Sequence, residues 1–162
     1  HLSVAGTVAL PKTELLARKR ATYRAQAMDE VRAFPGVAEG LQCLNGTPCA
    51  VATSSGVDDA RLALSAAGLL SFFPVLVCWD DVAYHKPAPD PYAQAAQRLG
   101  MPPDACIAIE DSPAGIASAK AAGCCVLAVA TSHPEVRLLD ADFTFATTAE
   151  ALAWARARLI RE

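Results

Sequence analysis

Short, uninterrupted apolar runs alternating with stretches of helical pattern constrain this chain more than any other feature. The runs fall at 48–53, 75–78, 106–110 and 124–129, with a weaker one around 143–145. Between and after them, residues 57–67, 91–99, 113–122 and 148–160 carry helix formers in helical register. A strand that is apolar on both sides must be covered on both sides, and crossover helices do this in a parallel sheet. The expected fold class is therefore α/β, a Rossmann-like parallel sheet with helices on both faces. Ligands of such sheets bind beyond the carboxyl ends of the strands. The polar residues just after each run are thus the candidates for chemistry.

Ahead of the first run, residues 13–33 read as a helix with Leu16, Tyr23, Ala27 and Val31 on one face, stopped by Pro35-Gly36. Val37, Leu41 and Leu44 continue as a second helical stripe. The composition, 53% apolar and 19% charged, suits a folded domain. A net charge of −3 gives no electrostatic reason to expect nucleic acid or an anionic membrane as partner. No apolar stretch is long enough to span a bilayer, and the first residues lack the basic start and apolar core of a signal peptide. The six cysteines include no C-x-x-C pair and no ligand spacing with a histidine. They read as small buried apolar side chains in a reducing compartment, which points to the cytoplasm. Oligomeric state is left open.

Three polar clusters follow strands or open helices. Thr53-Ser54-Ser55-Gly56 comes directly after the first run. A hydroxyl with backbone N–H groups at that position suits an anion, and a plain helix N-cap is the alternative. In "YHKPAPDPY" (84–92), two prolines hold Lys86 in a stiff loop suited to neutralising a phosphate, and Asp90 is a natural N-cap. A merely solvated lysine is the competing reading. In Glu110-Asp111-Ser112-Pro113-Ala114-Gly115, adjacent carboxylates end a strand. Hard oxygen ligands there favour Mg²⁺, while helix capping by Asp111 is the bland alternative.

Hydroxyl, lysine and paired carboxylates in this order, each after its own strand, resemble the haloacid dehalogenase-like hydrolase superfamily. The phrases "FPGVAEGL", "VATSSG", "HKPAPDPY" and "IAIEDSPAGIASAKAAG" are similar to its β-phosphoglucomutase-like branch, over nearly all of 13–155. The resemblance implies a Mg²⁺-dependent phosphatase of small phosphorylated metabolites that works through an aspartyl-phosphate. A phosphomutase, or a non-catalytic phosphate- and metal-binding relative, is the alternative. Thr53 and the Ser54 N–H would hold the phosphoryl group, Lys86 would offset its charge, and Glu110 and Asp111 would bind Mg²⁺ directly or through water.

The resemblance also implies a D-x-D-G-T motif on a central strand, and nothing before Thr53 has that form. The expectation is that residues 1–34 are the remnant of a helical cap and 35–162 an incomplete core. The sheet should then lack its middle strand, and the chain alone should be inactive. One D-x-D-x-T string does occur, Asp140-Ala141-Asp142-Phe143-Thr144. The preceding "EVRLL" is charged and short for a central strand. The residues around the string match the family's edge strand and last helix, so Asp140 is not expected to be the nucleophile.

Overall fold

A computed structural model of the chain describes residues 31–44 and 46–159, together with Glu14, Ala21 and Thr22. Each apolar run holds a strand: β1 (Ala50–Ala52), β2 (Val75–Val77), β3 (Ile107–Glu110), β4 (Cys125–Val129) and β5 (Phe143–Phe145). The helices are α1 (Val37–Gln42), α2 (Val57–Ala66), α3 (Asp90–Leu99), α4 (Pro113–Ala122) and α5 (Thr148–Leu159). All strand pairs are parallel, as continuous apolar runs joined by helices require. The α/β reading holds. The helix expected over 13–33 lies outside the described residues apart from Glu14, Ala21, Thr22 and the stretch from Val31.

The strands form two sheets, β1-β2 and β3-β4-β5. In the first, Ala50, Val51 and Ala52 pair with Val75, Leu76 and Val77, and Thr53 N–H extends the ladder to the Val77 carbonyl at 2.9 Å. In the second, Ile107 lies opposite Cys125 and Leu127 opposite Phe143. Among the described residues β1 pairs only with β2, and β3 only with β4. A cavity of about 460 Å³ lies between them, lined by Val51 and Ala52 on one side and Ile107 and Ile109 on the other. Helices close it: Val37 and Leu41 of α1, Ala95 and Ala96 of α3, and Leu152 of α5 complete its wall.

Burial follows the periodicity. Val37, Leu41 and Leu44 form one core cluster with Leu69 and Leu152, which joins the first helix to the last. Val126, Ala128, Ile116, Ala119 and Leu138 fill the face of β4 toward α4, while Leu127, Val129, Ala151 and Ala155 fill the opposite face. Successive β4 residues thus point to opposite cores, which is why that strand must be apolar throughout. Gly36 makes the tight entry to α1. Its φ of +77° suits glycine, and a Cβ there would lie 2.9 Å from the Ala149 Cβ.

Two local expectations need correction. Asp90 is the first helical residue of α3, and the N-cap is Pro89 without a side-chain bond. The carboxylate therefore acts on the helix dipole from the first turn and caps no N–H group. Of the six cysteines, Cys78 and Cys124 are buried, but Cys43 is exposed. It stands at the C-cap of α1, off the stripe that Val37 and Leu41 turn inward.

The D-x-D string sits at the start of the edge strand. Residues 135–137, ahead of it, form a 3₁₀ turn and no strand. Asp142 ties that strand to its neighbours. Its Oδ2 accepts from Val126 N–H at 2.8 Å and its Oδ1 from Lys120 Nζ at 2.5 Å, while its own N–H donates to the Val126 carbonyl at 2.9 Å. The Lys120 bond, then the Val126 N–H, hold its carboxyl below the usual aspartate range. Replacing Asp142 by Ala strands the Val126 N–H in the core and is expected to cost about 1–3 kcal/mol. Asp140→Ala should stay within about 0.5 kcal/mol of the parent. Urea denaturation of both variants checks the difference. The Asp142 contribution is a depressed-carboxylate one, so it is complete above the unfolded aspartate pKa and fades as pH falls below it.

Candidate active site

The carboxyl ends of β1 and β3 converge on one ammonium group. Lys86 Nζ donates to the Ala52 carbonyl at 3.0 Å, to Tyr92 Oη at 3.4 Å and to Glu110 Oε1. The lysine lies in the turn between β2 and α3 and is nearly buried, with Glu110 more so at 7% exposure. Its loop is fixed from beneath, because the fully buried Ser118 of α4 donates to the Ala88 carbonyl at 2.5 Å. The stiff loop expected from the prolines is thus also tied to a neighbouring helix.

Glu110 answers with a saturated carboxylate. Oε1 accepts from Lys86 and from the Tyr92 hydroxyl, and Oε2 from Asp111 N–H at 3.2 Å and Ser112 Oγ at 3.1 Å. A carboxylate withdrawn from water needs such a set of donors. The space for it comes from Gly115, where a Cβ would lie 2.0 Å from the Glu110 carboxyl. Tyr92 is held in its hydroxyl form: burial, then the Glu110 charge, push its pKa well above the ordinary range. The lysine ammonium also lies 5.0 Å from the Tyr92 ring centroid.

Asp111 faces elsewhere. Its Oδ2 accepts from Ser132 Oγ, and His133 Nδ1 donates to its carbonyl at 3.0 Å, so the loop after β4 packs against it. The helix cap that Asp111 was a candidate for belongs to Ser112, whose Oγ accepts from Gly115 N–H at 3.1 Å. After β1, Thr53 Oγ1 accepts from Ser55 N–H at 3.1 Å, and the N-cap of α2 is Gly56, without a side-chain bond. The hydroxyl therefore shapes the loop and caps no helix. Ser54 is exposed, and no described residue engages its N–H or hydroxyl.

The five expected site residues accordingly divide. Lys86 and Glu110 are in direct contact, and Thr53 and Ser54 follow the strand whose last carbonyl Lys86 binds. Asp111 follows the strand that carries Glu110 but touches a different loop. Tyr92, Ser132 and His133 were not singled out by sequence, although Tyr92 closes the same "KPAPDPY" phrase as Lys86. Of the two carboxylates, Asp111 has the chemistry that fits Mg²⁺: a hard, partly open oxygen donor at a strand end. Glu110 is occupied by Lys86 and Tyr92. No cluster of three metal-ligating side chains occurs among the described residues.

With this geometry in hand, comparison with known proteins fixes the class. The family model for haloacid dehalogenase-like hydrolases matches residues 6–129, and the chain belongs to that family. Among curated relatives, hexitol phosphatase A of Escherichia coli is 40% identical over 114 residues, which cover 69% of this chain and 52% of that protein. Protein CbbY of Rhodobacter capsulatus is 44% identical over 102 residues, covering 60% of this chain and 45% of that protein. The chain spans about half the length of these relatives. A crystal structure of a β-phosphoglucomutase-like protein from Thermotoga maritima superposes with a TM-score of 0.82 at 25% identity, over 93% of this chain and 72% of that one. CbbY from Rhodobacter sphaeroides, in complex with xylulose-(1,5)bisphosphate, gives 0.80 at 27% identity, over 88% and 67%.

The buried pair carries a stability prediction. Lys86→Met leaves the Glu110 carboxylate buried without a cation and is expected to cost about 3–5 kcal/mol. The double variant Lys86→Met/Glu110→Gln should fall short of the summed single losses by about 1–3 kcal/mol. Denaturant melts of the four proteins measure this coupling, and strict additivity would contradict the pairing.

Proposed function

We propose that the chain is the phosphate- and metal-binding part of a Mg²⁺-dependent phosphatase acting on small phosphorylated metabolites. The observation that carries this reading is the position of Lys86, with the Thr53-Ser54 loop leaving β1 on one side and Asp111 leaving β3 on the other. Thr53 and the Ser54 N–H receive the phosphoryl oxygens, and Lys86 offsets the charge that gathers as the bond to the leaving oxygen lengthens. Glu110 and Tyr92 keep that ammonium aimed at the strand ends. Asp111 would hold the Mg²⁺, Glu110 acting on the site through its pair with Lys86, and the ion when bound supplies further charge neutralisation to the phosphoryl group. In this reading residues 1–34 correspond to the remnant of a cap and 35–162 to an incomplete core. The names of the matched relatives, a hexitol phosphatase and a fructose-1-phosphate phosphatase of Escherichia coli, support this substrate class.

The attacking group in this reading is an aspartate carboxylate on a strand that occupies the cavity between β1 and β3. It is carried by a segment outside these 162 residues. The carboxylate oxygen attacks phosphorus, the leaving oxygen departs, and water later cleaves the aspartyl-phosphate. Phosphomutase chemistry would share these steps, and the likeness to the Thermotoga maritima structure keeps it as the second reading.

The 162-residue chain is expected to leave p-nitrophenyl phosphate intact in Mg²⁺. A longer chain with a D-x-D-G-T strand restored upstream should hydrolyse it. In that longer chain, Lys86→Ala should lower kcat by about 10²–10³-fold. Turnover by the 162-residue chain that Asp140→Asn abolishes would overturn this assignment of the nucleophile.

A further inference from the structure

One aromatic pair at the same end of the sheet, an exposed tryptophan on a half-buried histidine, has no part in the chemistry above. The rings of Trp79 and His85 are stacked, with centroids 3.3 Å apart and planes 12° from parallel. Large side chains normally leave water when they can, yet Trp79 is 47% exposed and the neighbouring Tyr84 69%. The backbone of each residue is tied to one arm of the candidate site. Trp79 backbone N–H donates to the Ser55 carbonyl at 3.0 Å, which links the residue to the Thr53-Ser54 loop, and His85 directly precedes Lys86.

The stack also stands on a fixed base. Asp81, two residues after Trp79, accepts from Cys78 N–H at 2.8 Å and from Arg98 Nη2 at 2.6 Å. Arg98 in turn donates to the Leu76 carbonyl of β2 at 2.9 Å, so the turn is held to α3 and the sheet together. An exposed aromatic surface held this firmly presents a flat face without having to be ordered on binding.

We propose that the Trp79–His85 stack is a specificity surface. It receives the part of the substrate that carries the phosphate and favours phosphate monoesters bearing a flat aromatic ring. This rests on the reading of Thr53, Ser54 and Lys86 as the phosphate site. A phosphate held between the two arms leaves its ester group at the strand-end surface, where an aromatic ring can lie against the pair. Ring-on-ring contact is tolerant of ring identity, so the surface sets a class of substrate and no single compound.

The test uses the 162-residue chain, which contains every residue named. Binding of inorganic phosphate, methyl phosphate and phenyl phosphate is followed by chemical-shift titration, and by Trp79 fluorescence in a Trp154→Phe background. Phenyl phosphate is expected to bind about tenfold more tightly than methyl phosphate. Trp79→Leu and, independently, His85→Ala should reduce that preference to near unity while inorganic phosphate binds as before. Equal affinity for the methyl and phenyl esters, or a preference that survives both substitutions, overturns the specificity surface and leaves the phosphate site standing. Failure of all three probes to bind overturns the phosphate site, and the specificity surface with it.

Discussion

Keeping a lysine ammonium out of bulk water at the meeting point of two strands sets the terms for the rest of the site. Such a charge is tolerable only beside a counter-charge, and Glu110 supplies it. Once buried, that carboxylate needs donors for all its lone pairs, and Tyr92, Ser112 and the Asp111 N–H provide them. The carboxyl also needs room, so the helix opposite begins with glycine in its first turn. Each feature answers a demand created by the one before it, and together they account for most of "EDSPAG" and "KPAPDPY".

The elements were legible because their signal is local. Apolar runs and helical stripes state which faces are covered, and β1 to β5 fall inside the runs. The ordering of hydroxyl, lysine and carboxylates was legible too, since parallel α/β connectivity brings successive strand ends to one edge. What the sequence concealed was partnership. Glu110 and Asp111 look equivalent as letters, but neighbours along an extended backbone point to opposite sides. One faces Lys86 and the other faces the loop of Ser132 and His133. Ser118, thirty positions from the Ala88 carbonyl it binds, reads only as a small polar residue in a helix. The Asp140–Asp142 string shows the reverse, a spelling that matches a motif while Asp142 serves an edge strand.

Family membership and the site carry different kinds of information. The fold is shared, while the relatives' names span different phosphorylated compounds on that one framework. Selectivity therefore has to come from side chains that surround the shared groups and do not take part in the common chemistry.

The cavity between β1 and β3 has a mechanical meaning as well. Within a continuous sheet, a displacement at one strand end passes sideways through a ladder of backbone bonds that resist shear at every step. Here the route from the Thr53 loop to Asp111 crosses at the Ala52 carbonyl, the Lys86 ammonium and the Glu110 carboxylate. That joint is a single side chain held between two oxygens, with no backbone ladder beside it among the described residues. The two half-sheets are therefore held to each other by the helices packed over the cavity, α1 against α5 and α3 against α4, and not by a backbone ladder.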